Sequence, residues 1–289
     1  MAKTIQVGDL SIGRGGPLAL IAGPCVIESR DVCLHVAERV RGIVDRLGLP
    51  FIFKSSYLKD NRSTIHSYQG PGLEEGLKVL QEVRSTFGCP VLSDVHTPEE
   101  CAPAAQVLDV LQIPAYLSMQ SQLVVAAGRT GKAVNVKKGQ FLHPLDMKNV
   151  VGKLEAVGNR NILLTERGTC LGYHNLVADM RSLPMMRSLG YPVVFDPTHT
   201  VRKYGVSSSD PSGGEPQYIP HLTRAGVAAG VDLLFLETHP DPPSALCDAA
   251  SMLPLSRLEA LLEDCVRLHE VARLAEARAE AEGPWTSCG

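Results

Sequence analysis

Five basic side chains stand where they could hold anionic groups: Lys54, Lys59, Arg62, Lys137 and Arg167. Lysine offers a point charge, and arginine a planar fork that matches a phosphate. Together they are enough for two phosphates. A second set is softer. Cys25, His199, Glu237 and Asp248 supply a thiol, an imidazole and two carboxylates, a donor set suited to one divalent ion. Each member also has a plainer reading, Cys25 as a buried thiol and His199 as a cap for the helix that follows it. Asp94, His96, Gln112, Lys138, Glu166, Asp196 and His239 are further polar residues that come just after short apolar runs.

Those runs number eight: 18–22 (LALIA), 51–53 (FIF), 90–92 (PVL), 107–111 (VLDVL), 133–136 (AVNV), 161–164 (NILL), 192–195 (PVVF) and 232–236 (DLLFL). Mostly apolar runs of this length suit strands buried on both faces, as in a parallel sheet. Helical periodicity fills the intervals, for example over 31–47, 73–86, 146–157 and 176–189. Eight strands alternating with helices predict an α/β fold of the (β/α)8 TIM barrel type. A doubly wound open sheet is the rival, but Gly23-Pro24-Cys25 after the first run is not a dinucleotide-binding glycine turn. Active sites of such barrels lie at the C-terminal ends of the strands. Closure makes the first, seventh and eighth strands close neighbours, which is the reason to group Cys25 with His199, Glu237 and Asp248. Residues 4–12 read as a small N-terminal β-hairpin capping one end of the barrel. Residues 255–282 read as a long charged final helix, and 206–217 (VSSSDPSGGEPQ) as a mobile loop placed like a lid.

With 289 residues and 44% apolar content, the whole chain 1–289 fits one barrel domain, which typically needs about 250 residues. The net charge is -3, so neither nucleic acid nor a membrane surface is an expected partner, and any pull on anions must be local. The opening stretch MAKTIQVGDLSIG has no apolar core of a secretory signal, and no run is long enough to span a bilayer. A soluble, cytoplasmic protein is expected. Its eight cysteines contain no CxxC pair and read as free thiols, mostly buried.

Longer motifs carry a resemblance. IAGPCVIE (21–28), KSSYLKDNRSTIHSYQGPG (54–72), SDVH (93–96), NVKKGQF (135–141), ERGTCLG (166–172), FDPTH (195–199) and ETHPDPPSALCDAASMLPL (237–255) are similar to motifs of the KDO 8-phosphate synthases. The similarity spans roughly residues 4–275. Its most specific piece, Lys59-Asp60-Asn61-Arg62-Ser63, separates these enzymes from the related heptulosonate 7-phosphate synthases. The resemblance implies condensation of phosphoenolpyruvate with D-arabinose 5-phosphate and water, giving 3-deoxy-D-manno-octulosonate 8-phosphate and phosphate. It implies that Lys59, Lys137 and Arg167 hold phosphoenolpyruvate, with Lys54, Asp94 and Gln112 lining the same pocket. Asn61, Arg62 and Ser63 would grip the pentose phosphate. Cys25 places the chain with the metal-requiring class, with His199, Glu237 and Asp248 as the remaining ligands of one divalent ion (Zn, Fe, Mn or Co) and no organic cofactor. Lys59, His199 and Asp248 are the expected catalytic residues, Lys59 as a proton donor to the aldehyde oxygen. A homotetramer is implied as well.

Two positions depart from the pattern. Met119 stands where many relatives carry an arginine that reaches a neighbouring subunit's sugar phosphate. Ser212-Gly213-Gly214 runs into Glu215 and Pro216 instead of a basic residue. Three rivals follow: a sister synthase using another aldose, a Schiff-base aldolase using Lys54 or Lys137, and a non-catalytic barrel that binds sugar phosphates.

Overall fold

Alternation with a period of two decides which side chains of the eight runs enter the barrel. In the computed structural model, which describes residues 3–282 apart from 14, 63, 171, 208 and 209, these runs are strands. They are β3 (Ala19–Gly23), β4 (Phe51–Lys54), β5 (Val91–Asp94), β6 (Val110–Ile113), β7 (Ala133–Lys137), β8 (Ile162–Glu166), β9 (Val193–Phe195) and β10 (Leu233–His239). Each pairs in parallel with the next, and β10 pairs with β3, so the sheet closes into a barrel. A short strand, β11 (Leu253–Pro254), adds to the end of β10.

Two apolar clusters follow from the alternation. One lies inside the barrel and includes Ile21, Ile52, Leu92, Val110, Leu163 and Phe235. The hairpin β1 (Ile5–Val7) and β2 (Leu10–Ile12) contributes Ile5, Val7 and Ile12 to that same cluster. The expected hairpin thus plugs the barrel end where the strands begin. The other cluster joins the outward residues of the strands to the surrounding helices.

Those helices are α1 (Arg30–Leu47), α2 (Leu73–Phe87), α3 (Pro98–Ala104), α4 (Ser121–Arg129), α5 (Met147–Ala156), α6 (Ser182–Arg187), α7 (Pro197–Thr200), α8 (Ile219–Ala228) and α9 (Leu258–Glu282). The first shows how their ends are set. The Ser29 hydroxyl accepts from the Val32 amide at its start, and Gly48 in the left-handed region (φ 67°) stops it. Close packing of α8 on the barrel needs Gly226, where a Cβ would sit 2.3 Å from the Phe195 ring. Among the described residues, no helix is long and apolar enough to cross a membrane.

The structure departs from the sequence reading at two elements. Residues 176–181 are not helical. Thr169 and Val177 exchange backbone hydrogen bonds of 2.9 and 3.0 Å, which commits this stretch to a β-bridge, and the helix begins only at Ser182. The fourth strand starts at Val110, later than expected. Val107 and Leu108 donate backwards to Ala104 and finish the turn after α3. The loop read over 206–217 includes the short 3₁₀ turn Pro211–Gly213, and a second, Pro216–Tyr218, runs one residue past its end.

Candidate active site

Counting in twos from the inner apolar cluster towards the strand ends reaches polar residues on every strand. Lys54 follows Ile52, Asp94 follows Leu92 and Gln112 follows Val110. Asp196 follows Val194, and Glu237 follows Phe235. Cys25, Lys137 and Arg167 stand four residues beyond Ile21, Ala133 and Leu163. The interior of the barrel therefore changes from apolar to charged along its axis. All eight of these side chains are buried.

Such a layer is tolerable only if its members satisfy one another. On one side they form a relay across four strands. Gln112 donates to Asp94, Asn135 donates to Gln112 (2.8 Å), and Thr165 donates to Asn135 (2.6 Å). Asp94 also accepts from the Ser56 hydroxyl (2.8 Å) and from Lys59 Nζ (3.2 Å). Burial works against the Asp94 carboxylate, but the charges of Lys59 and Lys54 outweigh it and hold its pKa below the ordinary range. Burial likewise opposes charge on Lys59, yet Asp94 leads the anions that raise its pKa well above the usual lysine value. Lys137 is different. It contacts Asp196 and lies over the Phe235 ring, and burial brings its pKa down to about 8 against the pull of that carboxylate.

On the opposite side lies the candidate metal centre. Glu237 pairs in register with Gly23, so the end of β10 lies beside the segment carrying Cys25. On its other side the same segment is closely met by β4, since a Cβ on Gly23 would fall 2.0 Å from the Lys54 carbonyl oxygen. His199 Nε2 lies 3.7 Å from Glu237 Oε2 and 3.7 Å from Asp248 Oδ2. Cys25 Sγ lies 3.3 Å from the same Asp248 oxygen. Donor atoms around a tetrahedral ion with bonds of roughly 2.0–2.3 Å stand about 3–4 Å apart, and the close groups are two, His199–Glu237–Asp248 and Cys25–Cys247–Asp248, joined through Asp248. The other ring nitrogen, His199 Nδ1, is 2.6 Å from Asp196 Oδ2, the orienting contact typical of a ligand histidine. Asp196, not His199, caps α7, accepting from the His199 amide. Lys54 contacts Glu237 and donates to the Cys25 carbonyl (2.8 Å). Burial, then the neighbouring Cys247 and Asp248, push the Cys25 thiol well up.

Above both sides opens a cavity of about 280 Å³. Lys59, Asn61, Arg62, Asp94, Gln112, Lys137, Arg167, His199 and Asp248 all line it. Cys25, Lys54 and Glu237 are buried next to these residues and are not among those lining it. Ser63 lies outside the described residues.

Lys138 and Glu166, one step out of phase with Lys137 and Arg167, do not line the mouth. Lys138 is buried against Thr169 (3.1 Å) and Glu166 (3.6 Å), and Glu166 accepts from the Arg167 and Gly168 amides. His239 turns to Glu28, at 3.4 Å. Met119 is partly exposed, its carbonyl accepting from Lys153.

Several participants escaped the sequence reading. The Tyr204 hydroxyl accepts from Arg167 (2.7 Å) and Gln140 (2.6 Å) on the cavity wall. Arg202 reaches Asp248, and Cys247 touches Cys25. Arg202 and Tyr204 sit in the loop after α7, where no periodicity marks them. Their one signal is nearness to His199 in the chain.

The comparisons with known proteins agree with this architecture. The model of the DAHP synthetase I family matches residues 2–273. The 2-dehydro-3-deoxyphosphooctonate aldolase of Trichlorobacter lovleyi is 56% identical over 273 residues, covering 94% of this chain and all of the relative. Proteins of the same name from Geobacter sp. strain M21 and Cyanothece sp. strain PCC 7425 are each 54% identical. They cover 91% and 93% of this chain, and 96% and 98% of their own lengths. A match of this extent, on a barrel with this polar rim, means that the chain belongs to the DAHP synthetase I family and groups there with the 2-dehydro-3-deoxyphosphooctonate aldolases.

Proposed function

We propose that this barrel condenses phosphoenolpyruvate with D-arabinose 5-phosphate and water, releasing 3-deoxy-D-manno-octulosonate 8-phosphate and inorganic phosphate. The observation that supports the reading is a cavity with a cationic wall, lined also by His199 and Asp248, beneath which two donor trios, His199–Glu237–Asp248 and Cys25–Cys247–Asp248, share Asp248. Lys59, Lys137 and Arg167 take phosphoenolpyruvate, supported by Lys54, Asp94 and Gln112, while Asn61, Arg62 and Ser63 take the pentose phosphate. Holding both reactants in one pocket replaces an encounter in water by a fixed geometry.

Carbon 3 of phosphoenolpyruvate bonds to the aldehyde carbon while water adds at carbon 2. The aldehyde oxygen takes up a proton, and Lys59, kept protonated by Asp94, is placed to give it. The hemiketal phosphate then breaks the bond between carbon 2 and the phosphate oxygen, the electron pair leaving with phosphate while the carbon 2 hydroxyl gives up its proton and becomes the ketone. The departing phosphate is stabilised by Lys137 and Arg167. Cys25, His199, Glu237 and Asp248 would hold a divalent ion, whether Zn, Fe, Mn or Co, and such an ion would supply Lewis acidity. Asp196 orients His199 for that task. We further infer that chain 1–289 works as one domain, in the cytoplasm, as a homotetramer.

The test is phosphate release from phosphoenolpyruvate with a panel of aldose phosphates, with and without chelator. Release with arabinose 5-phosphate, lost on chelation and restored by a divalent ion, is expected. Full activity of metal-free protein would remove the metal role, and preference for another aldose would make the chain a sister synthase. One observation favours a Schiff-base aldolase instead, the lowered pKa of the Lys137 amine. Borohydride trapping in the presence of substrate decides, and no adduct is expected.

A further inference from the structure

Asp248 divides its two oxygens between different tasks. Oδ2 faces His199 and Cys25 of the candidate metal centre. Oδ1 faces two guanidinium groups, with Arg202 Nη1 at 3.0 Å and Arg62 Nη1 at 3.9 Å. Both arginines are largely buried, their side chains 12% and 8% exposed, and both line the cavity. A guanidinium does not lose its proton in a protein. Two of them on one carboxylate therefore leave a net positive charge on this group of three. The other carboxylates around the site already have cations of their own. Glu237 contacts Lys54, Asp94 contacts Lys59, and Asp196 contacts Lys137.

Elsewhere on the cavity wall Arg167 is held by the neutral hydroxyl of Tyr204. The cavity wall thus carries two arginine groups, Arg167 and the Arg62–Arg202 pair, with excess positive charge. Buried charge of one sign calls for an anion, and a pair of forks matches the oxygens of a phosphate. One group serves one phosphate-bearing reactant, and the second group is available to serve the other.

We propose that Arg202 acts with Arg62 as the clamp for the phosphate of the aldose, which makes it a specificity-determining residue. The inference rests on the reaction assigned above and adds to it a residue that the motifs do not contain. Arg202 follows His199 on the same turn, its amide 3.3 Å from the His199 carbonyl. The clamp is therefore fixed in position relative to the centre where the aldehyde reacts.

The experiment compares metal-loaded wild type with Arg202→Met and Arg202→Lys, using arabinose 5-phosphate and unphosphorylated arabinose as acceptors. In Arg202→Met, kcat/KM for the phosphorylated sugar should fall about 10- to 100-fold, the size expected for a lost charge-assisted hydrogen bond. Turnover of arabinose, which has no phosphate to grip, should fall much less, and KM for phosphoenolpyruvate should move less than about twofold. Arg202→Lys should recover part of the loss. Equal losses for both sugars, or reduced metal affinity measured by chelator competition, would make Arg202 a support for Asp248 and overturn the proposal. If wild type turns over neither sugar, the assigned reaction fails by itself. Calorimetric binding of arabinose 5-phosphate then tests the clamp alone, and equal affinity of wild type and Arg202→Met would overturn it.

Discussion

The sulfur atoms of Cys25 and Cys247 lie 2.8 Å apart, although 222 positions separate the residues in the chain. Joining them as a disulfide requires the sulfurs to approach by less than about 1 Å. An ion that takes Cys25 as a ligand competes with that closure. Metal-free protein treated with hydrogen peroxide should therefore lose two thiols, gain a Cys25–Cys247 disulfide and reduce the peroxide to water, and a bound divalent ion should slow the loss. Peptide mass spectrometry and thiol counting check it. Peroxide-treated, metal-free protein with both thiols intact would count against the pairing.

Lys137 gives a pH dependence. Its amine, lowered to about 8 by burial, is mostly charged at neutral pH and loses its proton as the pH climbs past that value. Affinity for phosphoenolpyruvate should decline above about pH 8, and binding there should take up a proton, seen as a buffer-dependent heat. The sign for stability is opposite. Between about 8 and the ordinary lysine value of 10.5 the unfolded chain binds more protons than the folded one, so this group's contribution to stability rises with pH in that window. An affinity that stays flat from pH 7 to 9.5 would contradict the assignment.

Lys54→Met should destabilise the metal-free protein by about 3–5 kcal/mol, because Glu237 would be left buried without its cation. Added divalent ion should restore part of this, since it supplies positive charge to the same carboxylate. Denaturant titrations with and without metal measure both effects. A loss that metal does not change would mean that Glu237 is no ligand.

Gly23→Ala should cost about 3 kcal/mol or more. The new methyl would meet a backbone carbonyl at 2.0 Å, and a main-chain atom inside a barrel cannot step aside as a side chain can. Thermal unfolding reads the effect. Metal affinity should fall as well, because the displaced segment carries Cys25. An alanine variant of unchanged stability would show that the strands can part there at little cost.

Much of this arrangement could be read from the residues. The eight apolar runs correspond to the eight barrel strands because they are buried on both faces, a pattern that survives without any knowledge of neighbours. Lys54, Lys137 and Arg167 were visible because each ends a run. The phase of the alternation was less plain. Lys137 and Lys138 look equivalent as a pair of letters, yet one enters the barrel and the other supports Glu166 from outside. Loops were harder still. The bridge between Thr169 and Val177 replaces an apparent helix through a contact that local periodicity does not encode. Cys247, Arg202 and Tyr204 have their roles from distant partners, so no local pattern could single them out.

The first barrel strand made is β3 and the last is β10, yet the two are hydrogen-bonded neighbours with Gly23 beside Glu237. On the ribosome, Cys25 is synthesised 223 residues ahead of Asp248. A nascent polypeptide thus lacks Glu237 and Asp248 of the proposed donor set until its final helix is nearly due, and stray ions would find no complete set of donors on a half-made chain. Metallation at this proposed centre would in this sense be a late, post-translational event, and its occurrence would certify that the two ends of the chain have met.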